Sequence, residues 1–502
     1  MESDVSHTAT AQNLRQRSLT AALAKGFGTR QEQRSAHIEQ PKQRNGAVQV
    51  SDFHECASLA PPIDALRGAE QFAQFPENAE LRPGQFLPRV PKSLHEAGLR
   101  ERHVEALILR FLFHGGSATG REIADQLALP FRLVEPLLHR LKADHLVVFR
   151  ATALAGDYVY QLTEAGLERA RLYLRESSYF GAAPVPIEDY IASVAVQSVA
   201  RQHIRLSDLR RAFADLVLGP ELLNQLGEAI NGGLGFFLFG APGNGKTSIA
   251  ERVTKVFGES IWIPRSILAC GETIRLFDAS CHEALPLEAS DSYIDERDTD
   301  RRWVRIRRPT IVVGGELTLD HLEISTNAAT GLREAPLQLK SNGGTLVIDD
   351  FGRQRVSPNE ILNRWVMPLE KRFDLLNSAS GRKIEVPFDQ LIIFSTNLEP
   401  KSLVDEAFLR RIPYKIDVCD PSPKEFCEVF MRTAGDMNID CCEATVNYLL
   451  SKHYTAHGRS LRYCHPRDLL RQVYNYCRFR NIPLAVTQQS IDTAVKNYFA
   501  IV

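Results

Sequence analysis

The pattern of apolar and polar positions along the chain changes near residues 85 and 200. Residues 1–85 are rich in glutamine, serine, alanine and charged residues and show little sustained apolar periodicity, which predicts a disordered tail. An amphipathic targeting presequence is the alternative for this stretch, although its first ten residues are acidic. From residue 201 onward, helical segments alternate with short apolar runs, which is typical of a parallel α/β sheet.

Residues 86–178 are predicted to form a small domain of their own. Apolar spacing predicts helices over 104–112, 119–127 and 131–141, strands over 146–149 and 158–162, and a last helix over 163–174. Thr119 is a plausible N-cap for the second helix. Three helices plus a two-stranded wing resemble the winged helix-turn-helix fold of small bacterial regulators. The sequence segment from Tyr160 to Gly166 is common in such families.

The third helix of that domain would be the one to read a DNA major groove. It combines basic residues with acidic residues and a proline, namely Arg132, His139, Arg140, Lys142, Glu135, Asp144 and Pro136. A DNA-reading helix usually carries a basic stripe. The composition therefore favours a protein-docking or oligomer-organising module and leaves DNA binding as the alternative. Residues 179–200, with the run from Gly181 to Pro186, are predicted to be a semi-rigid linker.

A glycine-rich loop supplies the strongest chemical signal in the chain. Its residues fit the pattern G-x-x-x-x-G-K-[ST] and are Gly240, Ala241, Pro242, Gly243, Asn244, Gly245, Lys246, Thr247 and Ser248. An apolar run, 234–239, precedes the loop and a helical pattern, 246–257, follows it. That setting predicts a cradle of backbone N–H groups for a triphosphate, with Lys246 on the β- and γ-phosphates and Thr247 on Mg²⁺.

Two later apolar runs end in polar residues. Strand 345–348 ends in Asp349 and Asp350, and the run 390–396 ends in Asn397. The carboxyl ends of parallel strands meet beside the phosphate loop. We therefore expect Asp349 to hold Mg²⁺, Asp350 to polarise the attacking water and Asn397 to orient that water.

A pair of arginines ends the helical run 405–411. Arg410 or Arg411 is of the type that stabilises transition-state charge from a neighbouring subunit. The alternative is a helix C-terminus that carries favourable cations. The sequence does not decide between the two arginines.

Together these motifs come in the order found in the AAA+ ATPase family, which residues from about 200 to 502 resemble. The resemblance implies an ATPase core at 201–420, a helical lid domain at 421–502, ATP and Mg²⁺ as ligands, and a homo-oligomeric ring. It also implies a lid arginine directed toward the γ-phosphate, and the matching position here is Arg467.

Two segments bear on the branch of that family. Residues 373–387 look like the hairpin inserted in the MoxR-like and enhancer-binding-activator branches, and residues 301–324 alternate as a second hairpin would. One departure concerns Asp350, because the family normally has glutamate there. A shorter side chain predicts slow hydrolysis or a nucleotide-gated switch.

Charge and cysteine content narrow the function classes. The chain has 60 lysine and arginine residues against 61 acidic residues, which argues against a dedicated nucleic-acid or membrane-surface protein. Nine cysteines without a C-x-x-C pair predict reduced thiols and no zinc site. No apolar run approaches the roughly 20 residues of a membrane span. A cytoplasmic location without a membrane partner is expected.

Three functions follow as hypotheses. The first is an ATP-hydrolysing AAA+ protein that remodels an unknown protein client, chaperone-like, with the winged helix bringing in the partner. The second is a DNA-associated regulator whose ATPase works on transcription or replication machinery. The third is a nucleotide sensor that binds ATP and turns it over slowly.

Overall fold

The computed structural model describes residues 86–233, 235–286 and 299–500. The predicted tail, 1–85, lies outside the described residues, as does Leu234 of the first predicted core strand. Within the described ranges, no helix has both the length and the apolar character that a membrane crossing requires.

Residues 101–176 form four helices and a three-stranded antiparallel sheet. The helices are Glu101–Gly115, Gly120–Gln126, Phe131–Ala143 and Glu164–Glu176. The strands are Ser117–Thr119, Val147–Thr152 and Tyr158–Leu162, and the last of these lies between the other two. Periodicity predicted every one of these elements except Ser117–Thr119, which is too short to show alternation.

Thr119 caps the second helix as predicted. Its hydroxyl accepts from the Glu122 backbone N–H at 3.2 Å, and the Glu122 carboxylate accepts from the Thr119 backbone N–H at 2.7 Å. This reciprocal pair satisfies two N–H groups at the helix start. Whether the domain belongs to the winged-helix fold stays a prediction.

The segment for which the sequence predicts a linker is packed against its neighbours. It contains strand Val185–Pro186 and helix Ile187–Val196, and Tyr190 of that helix is buried. Val185–Pro186 pairs in parallel with strand Ser266–Ala269, so it is part of a sheet. The small residues around Ala182 and Ala183 allow the close approach.

A five-stranded parallel sheet forms the centre of residues 201–420, as the alternation of apolar runs predicts. Its strands, in spatial order, are Thr310–Val313, Thr345–Ile348, Leu391–Thr396, Phe236–Phe239 and Tyr414–Asp417. The strand before the glycine loop therefore lies between the strand that precedes Asn397 and an outer strand. The inner strands are buried on both faces, which explains their continuous apolar sequence.

Helices cover both faces of this sheet. Pro220–Gly232 and Lys246–Val253 contribute to one apolar cluster, and Pro358–Lys371 contributes the buried Trp365 to another. Shorter helices complete this region: Leu206–Ala212, Leu337–Lys340, Pro400–Leu403 and Glu406–Leu409. These layers fix the edge of the sheet at which the strands end.

The predicted hairpin over residues 301–324 is wrong. Strand Trp303–Arg307 pairs with Ser260–Pro264, whereas Thr310–Val313 joins the central sheet beside Thr345–Ile348. The two residues between them are Arg308 and Pro309, and neither suits the positive φ that a two-residue hairpin turn requires. The buried Arg308 guanidinium instead donates to the carbonyls of Gln197 and Gly343, so that the chain passes from one sheet to the other.

The hairpin predicted over 373–387 is present, as strands Phe373–Asn377 and Lys383–Pro387. The Glu272 carboxylate accepts from the backbone N–H groups of Ala379 and Ser380 in its turn, at 3.3 and 3.1 Å. A second small sheet supplies Glu272 and consists of Ser325–Thr326, Arg333–Glu334, Glu272–Arg275, Ser266–Ala269 and Val185–Pro186. The hairpin turn is therefore fixed to this sheet.

The C-terminal residues form a helical bundle with its own core. Its helices are Pro423–Asp436, Glu443–Leu449, His465–Arg480 and Gln488–Tyr498, with a π-helical turn at Leu450–Tyr454. Phe426, Phe430 and Leu469 are among its fully buried side chains. The predicted helical character is thus present in residues 421–500, the described part of this segment, and a lid role stays a prediction.

Candidate active site

The glycine loop joins strand Phe236–Phe239 to helix Lys246–Val253. Gly240, Gly243 and Gly245 have φ values of 137°, 86° and 80°, a region that side chains with a Cβ rarely adopt. At Gly240 a Cβ would also lie 2.6 Å from the Val418 carbonyl oxygen. The loop therefore needs glycine at these positions, and its backbone leads into the N-terminus of a helix, where N–H groups are unpaired.

Lys246 is the cation at the centre of the loop, and only 7% of its surface is exposed. Its Nζ donates to the carbonyls of Gly240 and Ala241, both at 3.0 Å, and to Asn397 Oδ1 at 2.6 Å. Burial lowers the pKa of Lys246, and the nearby Asp349 and Asp350 carboxylates oppose that shift. The amine is thus surrounded by oxygen acceptors, which is the environment that a phosphate group would also provide.

Thr247 and Asp349 lie side by side. The Thr247 hydroxyl donates to Asp349 Oδ2 at 2.9 Å, although the two residues are far apart in sequence. Asp349 directly follows strand Thr345–Ile348, two strands away from the one that leads into the loop. A hydroxyl and a carboxylate are hard oxygen ligands of the kind Mg²⁺ prefers, so these two residues fit the metal that the sequence predicts.

Asp350 and Asn397 form the next contact. Asn397 Nδ2 donates to Asp350 Oδ1 at 3.1 Å, while Asn397 Oδ1 accepts from Lys246. Asp350 has a left-handed backbone with φ of 48°, and the Gln354 side chain donates to its carbonyl and to that of Asp349. The structure therefore brings the predicted residues of the loop and of both strand ends into one connected group.

A cavity of about 610 Å³ opens beside this group. The phosphate loop from Pro242 to Ser248, the acidic pair and Asn397 line one side of it. The other side consists of the segment 215–218 and residues of the helical bundle: Val429, Arg432, Thr433, Asp436, Tyr463, Cys464 and Arg467. The cavity thus combines a polar end at the loop with an apolar slot made by Leu216, Val217, Leu218 and Val429.

Asn244 has a role that the loop pattern does not predict. It is buried, and its Nδ2 donates to the Val418 carbonyl at 3.0 Å and to Asp420 Oδ1 at 2.8 Å. Asp420 also forms an ion pair with Arg462. Two residues after Arg462, the Cys464 backbone N–H donates to the Gly243 carbonyl at 2.9 Å. The phosphate loop is therefore bonded directly to the segment that leads into the helical bundle and to the bundle itself.

Sequence reasoning missed Asp420 and Arg462 because nothing in a single sequence links them to the loop. Arg467, which it did predict, lies at the rim of the cavity at the start of helix His465–Arg480. Its side chain is largely exposed, and its Nε lies 3.4 Å from Asp468 Oδ1. Arg467 is therefore within the cavity lining but bonds to none of the loop residues.

The structure separates the two arginines of the pair and places neither in the lining of this cavity. Arg411 forms an ion pair with Glu370 at 2.6 Å, and its guanidinium lies over the Phe408 ring at 5.7 Å. Arg410 is exposed at the end of helix Glu406–Leu409, and no described residue forms an ion pair or hydrogen bond with its guanidinium. Of the two, Arg410 is the one that is available to a neighbouring molecule.

Comparison with known proteins gives only coarse information about this chain. Residues 422–497, which span the helical bundle, match the model of a domain of unknown function, DUF8689. No curated protein sequence matches the chain.

Among solved structures, the RuvB Holliday junction branch migration motor of Thermotoga maritima is similar, with 15% identity over 58% of this chain and 73% of that chain, at a TM-score of 0.33. A variant of the same RuvB has 14% identity over 61% and 74% of the two chains, at a TM-score of 0.32. A TM-score this low does not by itself support a function. The glycine loop, the parallel sheet and the residues at its edge match the architecture of a P-loop NTPase core, and this geometry supports the proposal below.

Proposed function

We propose that this chain is an AAA+ ATPase that hydrolyses ATP with Mg²⁺ and uses the turnover to remodel a protein partner. One observation carries the proposal. At one edge of a parallel sheet, Asn397 is hydrogen-bonded to both Lys246 and Asp350, and this group lies next to the hydrogen-bonded pair of Thr247 and Asp349. Such a group offers a cation, two oxygen ligands for a metal and a carboxylate for water in a single place.

Each residue has a distinct role in this proposal. The loop N–H groups and Lys246 bind the phosphates, and Thr247 and Asp349 hold Mg²⁺. When bound, Mg²⁺ neutralises charge on the phosphate oxygens. Asp350 orients the attacking water, and Asn397 holds the Asp350 carboxylate through its amide. The apolar slot at residues 216–218 and Val429 takes the base.

Coupling to motion follows from the contacts of the loop. Asn244 and Gly243 bond to Asp420, Val418 and Cys464, which lie in or lead into the helical bundle. A change in loop geometry on nucleotide binding or release therefore reaches the bundle through hydrogen bonds. We propose that the bundle acts as a lid and that Arg467, at the rim, turns toward the nucleotide.

In a homo-oligomeric ring, a neighbouring copy of the chain supplies a second cation, an arginine, to the ATP site. Since Arg410 lies outside the cavity of its own chain and has no intramolecular partner in the described residues, it is available to act on the site of a neighbouring copy. A cation from a neighbour stabilises charge in the transition state. We propose Arg410, and not Arg411, as this arginine finger.

Helix Phe131–Ala143 supports the protein-remodelling reading over the DNA-regulator reading. Arg140 is ion-paired with Glu101, and Lys142 Nζ lies 3.7 Å from the centre of the Phe149 ring. Arg132 donates to the Pro91 carbonyl at 3.3 Å. Arg132 and Arg140 thus already bond within the domain, which suits a module that docks a protein.

Substitutions at Asp350 test the hydrolytic role. Asp350→Asn should lower steady-state ATP turnover about 100-fold, the usual contribution of a positioned base, while ATP binding remains. Because asparagine tolerates a left-handed backbone, this variant should keep the melting temperature of the wild type. Turnover at the wild-type rate would contradict the role of Asp350, and the ATP-bound variant is the form to use for capturing a client.

Asp350→Glu is the matched comparison. Glutamate at φ of 48° costs about 1 kcal/mol, so the melting temperature should fall by about 2–4 °C. This strain accounts for aspartate at a position where the resembled family has glutamate. An Asp350→Glu variant that is as stable as the wild type and turns over ATP faster would instead show that the short aspartate side chain limits hydrolysis. That result would favour the slow nucleotide-gated switch.

A further inference from the structure

An exposed phenylalanine stands near the end of a bundle helix. Phe479, the penultimate residue of His465–Arg480, has 92% of its surface exposed, and Ile482 just beyond the helix has 43% exposed. Single exposed apolar residues are common on protein surfaces, but a phenylalanine ring that contacts almost nothing forgoes its large gain from burial. The ring is therefore available to a ligand.

The residues around Phe479 form one continuous surface. Helical spacing places Arg471, Asn475, Arg478 and Phe479 on the side of the helix opposite its buried residues, which are His465, Pro466, Leu469, Leu470, Val473 and Cys477. With a rise of about 1.5 Å per residue, Arg471 and Arg478 are about 10 Å apart along the helix axis. At this separation the two long side chains can reach different phosphates of one strand.

Two tyrosines hold the arginines of the last turns. The Arg478 guanidinium lies over the Tyr474 ring at 5.9 Å, and the Arg480 guanidinium lies over the Tyr476 ring at 4.8 Å. Stacking on a ring leaves the in-plane N–H donors of a guanidinium free to bind an anion. We call Arg471, Tyr474, Arg478 and Phe479 the arginine–aromatic face; Arg480 lies on another side of the helix by the same spacing.

This face is cationic although the chain as a whole is nearly neutral. The sequence has no carboxylate between Asp468 and Asp492, whereas the formal net charge of the chain is −1. Basic residues at a helix C-terminus also complement the helix dipole. That role accounts for Arg478 and Arg480, but not for Arg471 two turns upstream and not for the exposed ring of Phe479.

We infer that the arginine–aromatic face binds single-stranded nucleic acid. A base would stack on the Phe479 ring, and Arg471 and Arg478 would contact the backbone phosphates. Sites of this kind combine a basic track with aromatic platforms and tolerate any sequence. Arginine and aromatic residues are also enriched in protein interfaces, and the test below therefore includes a contact between copies of the chain as an outcome. The inference does not depend on ATP hydrolysis.

The test is fluorescence anisotropy of a labelled 20-nucleotide single strand of mixed sequence, titrated with the full chain at several salt concentrations. Phe479→Ala should weaken binding about tenfold, because it removes one stacked base. Arg471→Gln and Arg478→Gln should each make the slope of log affinity against log salt shallower by about 0.7. Leu154→Ala, at a side chain that is also 92% exposed, and Arg382→Gln, at an exposed arginine of the 373–387 hairpin, are the controls and should bind like the wild type.

Three outcomes would overturn the inference. The first is no anisotropy change for the wild type at low salt. The second is binding that Phe479→Ala and the two arginine substitutions leave intact, which would place nucleic acid elsewhere on the chain. The third is a Phe479→Ala variant whose assembly mass changes in sedimentation while nucleic-acid binding does not, which would make this face a contact between copies.

Discussion

Lys246→Ala should abolish ATP turnover and weaken ATP binding about 100-fold. The lost amine removes a charge-assisted bond to the phosphates, which contributes about 1.5–3 kcal/mol. The substitution also leaves the Gly240 and Ala241 carbonyls and Asn397 Oδ1 without their shared donor. Because Asn397 in turn holds Asp350, the carboxylate that orients water loses part of its support as well.

Equilibrium binding of ATP by calorimetry and steady-state phosphate release measure the two effects of this substitution. Lys255→Ala removes an exposed lysine that lies just beyond the end of helix Lys246–Val253 and is the matched control, with binding and turnover unchanged. If Lys246→Ala had the same ATP affinity and turnover as Lys255→Ala, the proposal that the glycine loop binds ATP would be wrong.

Arg410→Ala should lower turnover about 1,000-fold while leaving ATP binding intact, because a finger arginine acts on transition-state charge. Arg411→Ala should have a much smaller effect, since Arg411 is ion-paired with Glu370 in its own chain. This contrast follows from the structure alone, because the two arginines are adjacent in sequence.

A mixing experiment shows whether Arg410 acts on a neighbouring subunit. Arg410→Ala subunits have an intact site and Lys246→Ala subunits have an intact finger, so a mixed ring should regain turnover although each variant alone is inactive. A mixture of Arg411→Ala with Lys246→Ala is the control and should show only the activity of its Arg411→Ala subunits. A mixture of Arg410→Ala with Lys246→Ala that stays inactive at all ratios would contradict a shared site between copies.

The parts of the site that could be predicted are those that local sequence dictates. The loop glycines are recognisable because residues with a Cβ rarely adopt their backbone angles, and Asp349 and Asn397 are recognisable because parallel strands end at the same edge of a sheet. The central sheet was predictable as well, because buried parallel strands have continuous apolar sequences.

The parts that could not be predicted depend on contacts between distant residues. Asn244 bonds to Asp420, which is also the partner of Arg462, and no periodicity in one sequence reports such pairs. The alternation of residues 301–324 was ambiguous in a similar way. It shows that Thr310–Val313 is a strand but not which sheet contains that strand; the structure places it beside Thr345–Ile348, next to the buried Arg308.

The left-handed backbone of Asp350 was also hidden from sequence reasoning. Aspartate adopts that conformation more readily than glutamate, but it is common at many other positions, so its presence alone does not indicate positive φ. The backbone conformation of Asp350 therefore bears on whether glutamate is tolerated at this position.

The most direct test of the central claim is electron paramagnetic resonance of Mn²⁺, used in place of Mg²⁺, titrated into the full chain with ATP. We expect that the wild type binds one Mn²⁺ per bound ATP and that Asp349→Asn binds it more weakly, because only Thr247 and the ATP phosphates then remain as ligands. Mn²⁺ binding that is independent of ATP, or that is equal in the wild type and Asp349→Asn, would show that the loop and the acidic strand end do not share one metal-bound triphosphate.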